Sequence, residues 1–299
     1  MPAIITNKFR IHNQEQFVES FTESSPNVYY MGIGRPQGFT TSTRGDSRTQ
    51  FEGSDSSPLT PVDSVSQEFH VFDDLLAAKK VASTDVSVAI ARRNWTSGTV
   101  YDMYRHDYGH YVTGSTTTVV SSSSGATALY DTSFYVLTDD FNVYKCLDNN
   151  NGGTSTTKPT GTSTSILSTA DSYKWKYMYS LTAAQQANFL STDFMGVATN
   201  STVSSAAVDG AVNIVKIKTA GSGGTNGSHT GVAIRGDGSS GAATVTISGG
   251  AVSAVTVTTP GTGYTFGYIR VADINTAGGG SLSGSELDVI IEPKGGHGK

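Results

Sequence analysis

Runs of alternating apolar and polar residues dominate the chain, and most of them are short. "NVYYMGI" (27–33) is a β-branched and aromatic run that ends at the turn-forming "GRPQG". "DVSVAIARRNW" (85–95) puts Val86, Val88 and Ile90 on one side, the pattern of a half-buried strand. "SFYVLTDDFNVYKCL" (133–147) reads as two strands around a turn at Asp139–Asp140. "SYKWKYMYSL" (172–181) alternates Tyr173, Trp175, Tyr177 and Tyr179 against Lys174, Lys176 and Met178, so one face of this strand is aromatic. Helical spacing is rarer. "NQEQFVESF" predicts a helix over 13–22, with Asn13 as cap and Phe17, Val18 and Phe21 on one face. Pro61 and Asp63 mark a second start, and the Leu/Ala/Lys-rich stretch 75–80 predicts a helix over 64–79. A third is expected over 182–190, with Thr182 near its cap.

Between these segments lie polar stretches rich in Gly, Ser and Thr. Residues 36–60 and "NNNGGTSTTKPTGTSTS" read as long loops, and "TGSTTTVVSSSSGA" as a connector or edge hairpin. The last third carries a repeat. "VNIVKIKTAGSGGTNG" (212–227) aligns with "VSAVTVTTPGTGYTFG" (252–267) at a constant offset of 40. Val212/Val252, Val215/Val255, Ile217/Val257, Gly221/Gly261, Gly223/Gly263 and Gly227/Gly267 correspond. "GAATVTISGG" and "SELDVIIEPKGG" supply a further strand after each copy. Two copies are too few for a solenoid, and they predict a small two-fold-like β-sandwich or barrel with Val215 and Val255 in a shared core. The expected fold is mainly β with a few short helices. Residues 1–112 form an α+β N-terminal domain, 113–208 a β domain with long Thr/Ser/Gly loops, and 209–299 a Gly-rich duplicated β domain, the last two sandwich- or barrel-like.

Composition narrows the function classes. Charged residues are 15% of the 299, the formal net charge is −5, and the basic pairs Lys79–Lys80 and Arg92–Arg93 do not make a phosphate-tracking stripe, so no nucleic-acid partner is expected. No run approaches the ~18 apolar residues of a membrane helix, and "MPAIITNKFR" lacks the apolar core of a secretory signal, so no membrane partner is expected either. A single cysteine, Cys146, excludes an intrachain disulfide framework.

The candidate chemistry is thin. "GIGRPQG" misses the G-x-G-x-x-G spacing by one residue and is interrupted by Pro36, so it reads as a turn. "GGHGK" lacks the Ser/Thr of a phosphate loop and reads as a flexible tail. His106 and His110 are four apart with Asp107 between them, but Gly109 and the neighbouring tyrosines favour turn or strand over a metal-binding helix. The adjacent pairs Asp73–Asp74 and Asp139–Asp140 read as solvent-facing carboxylates, and Cys146 as a small buried apolar group. No catalytic residue, metal or cofactor is expected. The contact candidates are Arg92, Arg93 and Trp95 in "IARRNW" and Tyr173, Trp175 and Tyr177 on the aromatic strand. The two arginines point to opposite sides of a strand, one suited to a carboxylate pair and the other to stacking on Trp95. "IARRNW" reads as a stiff structural corner, with Trp95 a core aromatic worth ~3–5 kcal/mol.

The segments "AIITNKFR", "VYYMGIGRPQGF", "PVDSV…KKVASTDVSVAIARRNW", "VYKCLD" and "YKWKYMYSL" together resemble, in this order, the baseplate wedge subunit numbered eight of T-even-like contractile-tailed phages. The Thr-rich middle and "PGTGYT" resemble versions from cyanobacterial phages. The resemblance covers about residues 3–200, and the Asp63–Ser64, Arg92–Arg93 and Trp95 pattern is its most specific part. It implies a non-enzymatic, mostly β virion protein of the tail baseplate, assembled in the host cytoplasm, that forms a homodimer and packs against other wedge proteins. Family members are expected to continue past a Gly-rich insert, whereas this chain ends at "IEPKGGHGK"; that departure bears on closure of the first domain and on dimer geometry. A carbohydrate- or receptor-binding tail module is the competing class, and an exposed, coplanar aromatic row would favour it.

Overall fold

The computed structural model describes residues 7–23, 27–34, 75–112 and 118–298. The chain forms two compact units, Met1–Val88 and Ala89–Lys299. It is mainly β with a few short helices, as the alternation predicts.

In the first unit, helix α1 (Asn7–Glu19) begins a turn and a half before Asn13, because no Gly or Pro stops it upstream. Phe17 and Phe21 meet edge to face at 5.3 Å, and both rings lie against Tyr29. Strand β1 (Tyr29–Gly34) pairs antiparallel with β2 (Leu75–Val81), Tyr30 opposite Lys80 and Ile33 opposite Ala77. The helix expected over 64–79 is therefore corrected at its C-terminal end: 75–79 is strand, and the rest lies outside the described residues. Pairing with β1 overrides the intrinsic helical preference of Leu, Ala and Lys.

The second unit opens with β3 (Ala89–Ala91). Strands β4 (Tyr111–Val112) and β5 (Thr118–Val119) form a small ladder. Strands β6 (Tyr135–Leu137), β7 (Asn142–Asp148), β8 (Leu167–Ser168) and β9 (Lys174–Ser180) form an antiparallel sheet in the order β6-β7-β9-β8. The hairpin expected around Asp139–Asp140 is β6–β7, and both carboxylates face water, bonded to Lys158. Helix α2 (Ala183–Phe189) follows, and Thr182 and Gln185 close a reciprocal capping box at its start. Then come β10 (Phe194–Gly196), paired with β3, and helix α3 (Ser201–Ser205).

The remainder is built from β11 (Val212–Gly224), β12 (Gly227–Ala233), β13 (Arg235–Gly236), β14 (Ala242–Ser248), β15 (Ala251–Thr259), β16 (Gly267–Tyr268), helix α4 (Val271–Ile274) and β17 (Gly280–Ile291). Its two sheets run β12-β14-β15 and β11-β17-β16-β13. The duplication explains this order. Each copy supplies a first strand (β11 or β15), a second (β12 or β16) and a third (β14 or β17). The second and third strands of one copy pair with each other, and the first strand comes from the other copy. Val215 pairs with Val289, and Val255 with Val245. Val215 is buried, while Val255 packs half-buried against the same core.

The backbone obeys the two-fold closely. Gly224 N–H donates to the Gly250 carbonyl at 2.9 Å, and the equivalent Tyr264 N–H donates to the Gly210 carbonyl at 3.1 Å. Equivalent glycines share left-handed φ: 60° and 78° at Gly210 and Gly250, 72° and 66° at Gly221 and Gly261, and 77° and 74° at Gly223 and Gly263. At Gly221 and Gly261 a side chain is doubly excluded, since a Cβ would also lie 2.5 Å from a backbone carbonyl oxygen, that of Ser283 or Ser239.

Candidate functional site

The stretch "IARRNW" works as a strand switch. Residues 89–91 run antiparallel to β10, and Arg92 N–H donates to the Asp193 carbonyl. Arg93 C=O then accepts from Leu137 N–H at 2.7 Å, and Trp95 N–H donates to Leu137 C=O at 2.8 Å, so 93–95 lies parallel to β6. One extended segment thus joins the small β3–β10 ladder to the aromatic sheet. The side chains differ from expectation. Arg92 donates to Asn94 Oδ1 and to the Ser191 carbonyl. Arg93 lies over the Tyr135 ring, 5.6 Å from its centroid, not over Trp95. Trp95 is half-buried, its Nε1 donating to Ser155 Oγ at 3.1 Å. Ser155 Oγ donates in turn to Asp171, whose carboxylate also accepts from the Thr156 and Thr157 amides and Thr169 Oγ1. Burial would raise the Asp171 carboxyl, but these bonds outweigh it and hold it below the usual range.

Tyr173 and Trp175 are fully enclosed and stack at 5.4 Å, 18° from coplanar; Tyr177 is buried beside Tyr144. Tyr101, Met103, Tyr104, Cys146 and Leu147 complete this core. Burial pushes the Cys146 thiol well above its ordinary value, which removes thiolate chemistry from it. Asp102 is buried beneath the same segment. Its desolvation is outweighed by bonds from Ser133 and Ser124, and its carboxyl is held low. A cavity of about 170 Å³ opens beside Tyr144, Tyr177, Ile166 and Leu167. It is smaller than the ~300 Å³ at which small-molecule sites begin.

The least legible feature of the sequence is the polar seam where the aromatic sheet meets the duplicated strands. Ile214 and Ile290 enter the aromatic core from β11 and β17. Lys216 of β11 pairs with Asp148 of β7 at 2.8 Å, both side chains about 15% exposed. Arg105 forks onto Asp107 and reaches Asp288 of β17. His106 Nδ1 accepts from Ile291 N–H at 3.2 Å, and burial lowers its basicity. His106 thus caps a strand end, and among the described residues no group of three or more His, Cys, Asp or Glu side chains is placed to hold a metal.

The "GGHGK" tail, expected to be flexible, is seated instead. His297 is 3% exposed, edge-on to Tyr104 at 4.8 Å, with Lys145 Nζ 3.1 Å from its Nδ1. Glu292 accepts from His297 N–H and from Asn213 Nδ2. Desolvation lowers Lys145 to about 8, raises Glu292, and, with the Lys145 and Lys176 charges, drives His297 well below its ordinary value. A neutral His297 therefore accepts from the Lys145 ammonium. Sequence reasoning missed this because the tail's partners lie some 150 residues away.

Among the described residues the site is a set of packed contacts. The family model described as "Bacteriophage T4, Gp8" matches residues 3–152, half of the chain. The chain belongs to the Gp8 family. It is a structural protein of the phage baseplate, of the T4-like wedge type, and its place is the virion tail. The matched Gp8 segment contains "IARRNW", the β6–β7 hairpin and the Asp102 and Arg105 anchors, and stops before the aromatic strand β9 and the duplicated unit. No curated protein and no solved structure matches the chain.

Proposed function

We propose that this Gp8-family chain is a wedge subunit that forms a homodimer and docks other wedge proteins while the baseplate is assembled in the host cytoplasm, in the manner of versions from cyanobacterial phages. It acts as a rigid part and not as an enzyme, and it contacts neither nucleic acid nor membrane. The family match over residues 3–152 carries this reading. The buried interior supports it: Tyr173, Trp175 and Tyr177 are packed inside, so the row that a carbohydrate-binding module would expose is used to stiffen the sheet. In the same reading Arg92, Arg93 and Trp95 hold the strand switch rigid under load, and other wedge proteins meet the chain on surfaces set by it. Light scattering of the purified chain, followed by co-expression with the other wedge proteins of the same phage, tests the proposal. A dimer that enters a stoichiometric wedge complex is expected. A monomer that binds none of them, and is missing from purified tails, would refute it.

A further inference from the structure

The duplicated unit contains its own control. Where the copies share a structural task they carry similar residues, and where they differ at an outward position the difference has a cause that can be sought. On the first strands, Ile214 and Lys216 of β11 correspond to Ala254 and Thr256 of β15. The β11 pair is explained inside the chain, since Ile214 fills the aromatic core and Lys216 binds Asp148. Ala254 and Thr256 face outward.

On the second segments the asymmetry is reversed. Asn226, Ser228 and Thr230 of the first copy correspond to Phe266, Tyr268 and Arg270 of the second. All six are exposed, and the residue between the last two is buried in both copies, His229 and Ile269. The facing is thus shared, although β12 is an edge strand and the shorter β16 lies between β17 and β13, and the first copy folds with small polar residues at these positions. The second copy nonetheless presents Phe266 at 54% exposure and Tyr268 at 38%, with the Arg270 guanidinium over the Tyr268 ring and bonded to its hydroxyl. The row is also braced. Asp237 accepts from the Thr265 and Phe266 amides, which fixes the segment that carries the first ring. Arg235, across the strand from Tyr268, is held in a two-pronged pair by Asp273 at 2.7 Å.

We propose that Phe266, Tyr268 and Arg270 form a docking face for another protein of the same baseplate, one that presents an apolar centre with a carboxylate beside it to meet Arg270. Resting on the baseplate reading, the assignment follows from three properties. The residue types are those that dominate protein interfaces, an aromatic pair with a stacked arginine. Neighbouring charges are matched within the chain, Arg235 by Asp273 and Asp237 by backbone amides, so the charge this face offers a partner is the Arg270 guanidinium, which the Tyr268 ring and hydroxyl orient. The first copy carries small polar residues where the second carries the rings.

Hydroxyl-radical footprinting tests this on the full chain, comparing the purified protein with purified tails. Oxidation of Phe266 and Tyr268 is expected to fall severalfold in tails, with buried Trp175 unlabelled in both. The variant carrying F266N, Y268S and R270T, the first copy's residues, should melt like wild type yet enter tails severalfold less. Equal labelling in both states overturns the proposal. So does protection that appears when the purified chain self-associates, which assigns the face to a second copy, or only when host polysaccharide is added to tails, which assigns it to a glycan. Absence of the chain from tails would overturn the baseplate reading itself, whereas presence without protection overturns only this inference.

Discussion

The two copies of the duplicated unit have one scaffold and two surfaces. Their buried valines, their left-handed glycines and their exchanged strand pairing agree, because these decide whether the sandwich closes. Their outward residues disagree in two places. The first copy turns Ile214 and Lys216 into the aromatic sheet of its own chain, and the second turns Phe266, Tyr268 and Arg270 to solvent. A duplication relieves one copy of any surface duty that the other meets. The differences between copies therefore report contacts more directly than exposure alone, since isolated exposed apolar residues are common on any protein.

The largest expected effect lies on the inward-docked copy. Ile214→Ala should cost roughly 3 kcal/mol through the cavity it leaves in the aromatic core. Lys216→Thr should cost about as much by leaving Asp148 partly buried without its cation. Denaturant melts of each single variant check this, and losses under about 1 kcal/mol would mean that the β11 face is not an interface. The shared scaffold comes next. Gly221→Ala and Gly261→Ala meet the same left-handed φ and the same 2.5 Å overlap with a carbonyl oxygen, so each should cost about 2 kcal/mol or more, and nearly equally. Clearly unequal costs would break the two-fold reading.

A pH titration sharpens the contrast. His297 is held below its ordinary value by burial and by the Lys145 and Lys176 charges, so the unfolded chain binds the proton that the folded chain refuses. Stability is then lost as pH falls below about 6.5, the ordinary histidine value. Lys145, lowered to about 8 by desolvation, acts in the same sense, with stability rising from pH 8 towards its ordinary value. Glu292, raised by burial, acts oppositely just above the ordinary carboxylate range. Residues 242–259 contain no titratable side chain. Hydrogen-exchange protection, taken relative to the intrinsic exchange rate at each pH, should therefore fall over residues 292–298 between pH 6.5 and 5 while that of the β14–β15 hairpin stays unchanged, and His297→Gln should flatten the tail's response.

Local chemistry was the legible part of the fold. The β6–β7 hairpin, the aromatic strand β9 and the Thr182–Gln185 capping box were all set by neighbouring residues and were readable from spacing. Leu75–Val81 was misread because its helix-forming composition yields to a partner strand some fifty residues earlier. The repeat was visible, but the exchange of first strands between copies was not, since both pairings bury the same valines. The matched glycines at 210 and 250 lay two residues before the aligned segments. Of the contact candidates, the aromatic row was readable as a core face. Arg93 was not placed, because its partner ring belongs to β6, forty residues on. Trp95 is half-buried, so its removal should cost about 2 kcal/mol, below the range for an enclosed ring.

The central claim is that outward differences between the copies mark contacts, internal for the first and external for the second. Melting two reciprocal variants of the isolated full chain tests it most directly. One gives the first copy the second's residues, Ile214→Ala with Lys216→Thr. The other gives the second copy the first's, Phe266→Asn with Tyr268→Ser and Arg270→Thr. The account predicts a loss of several kcal/mol for the first and a change within about 0.5 kcal/mol for the second. Equal losses, or a larger loss for the second, would contradict it.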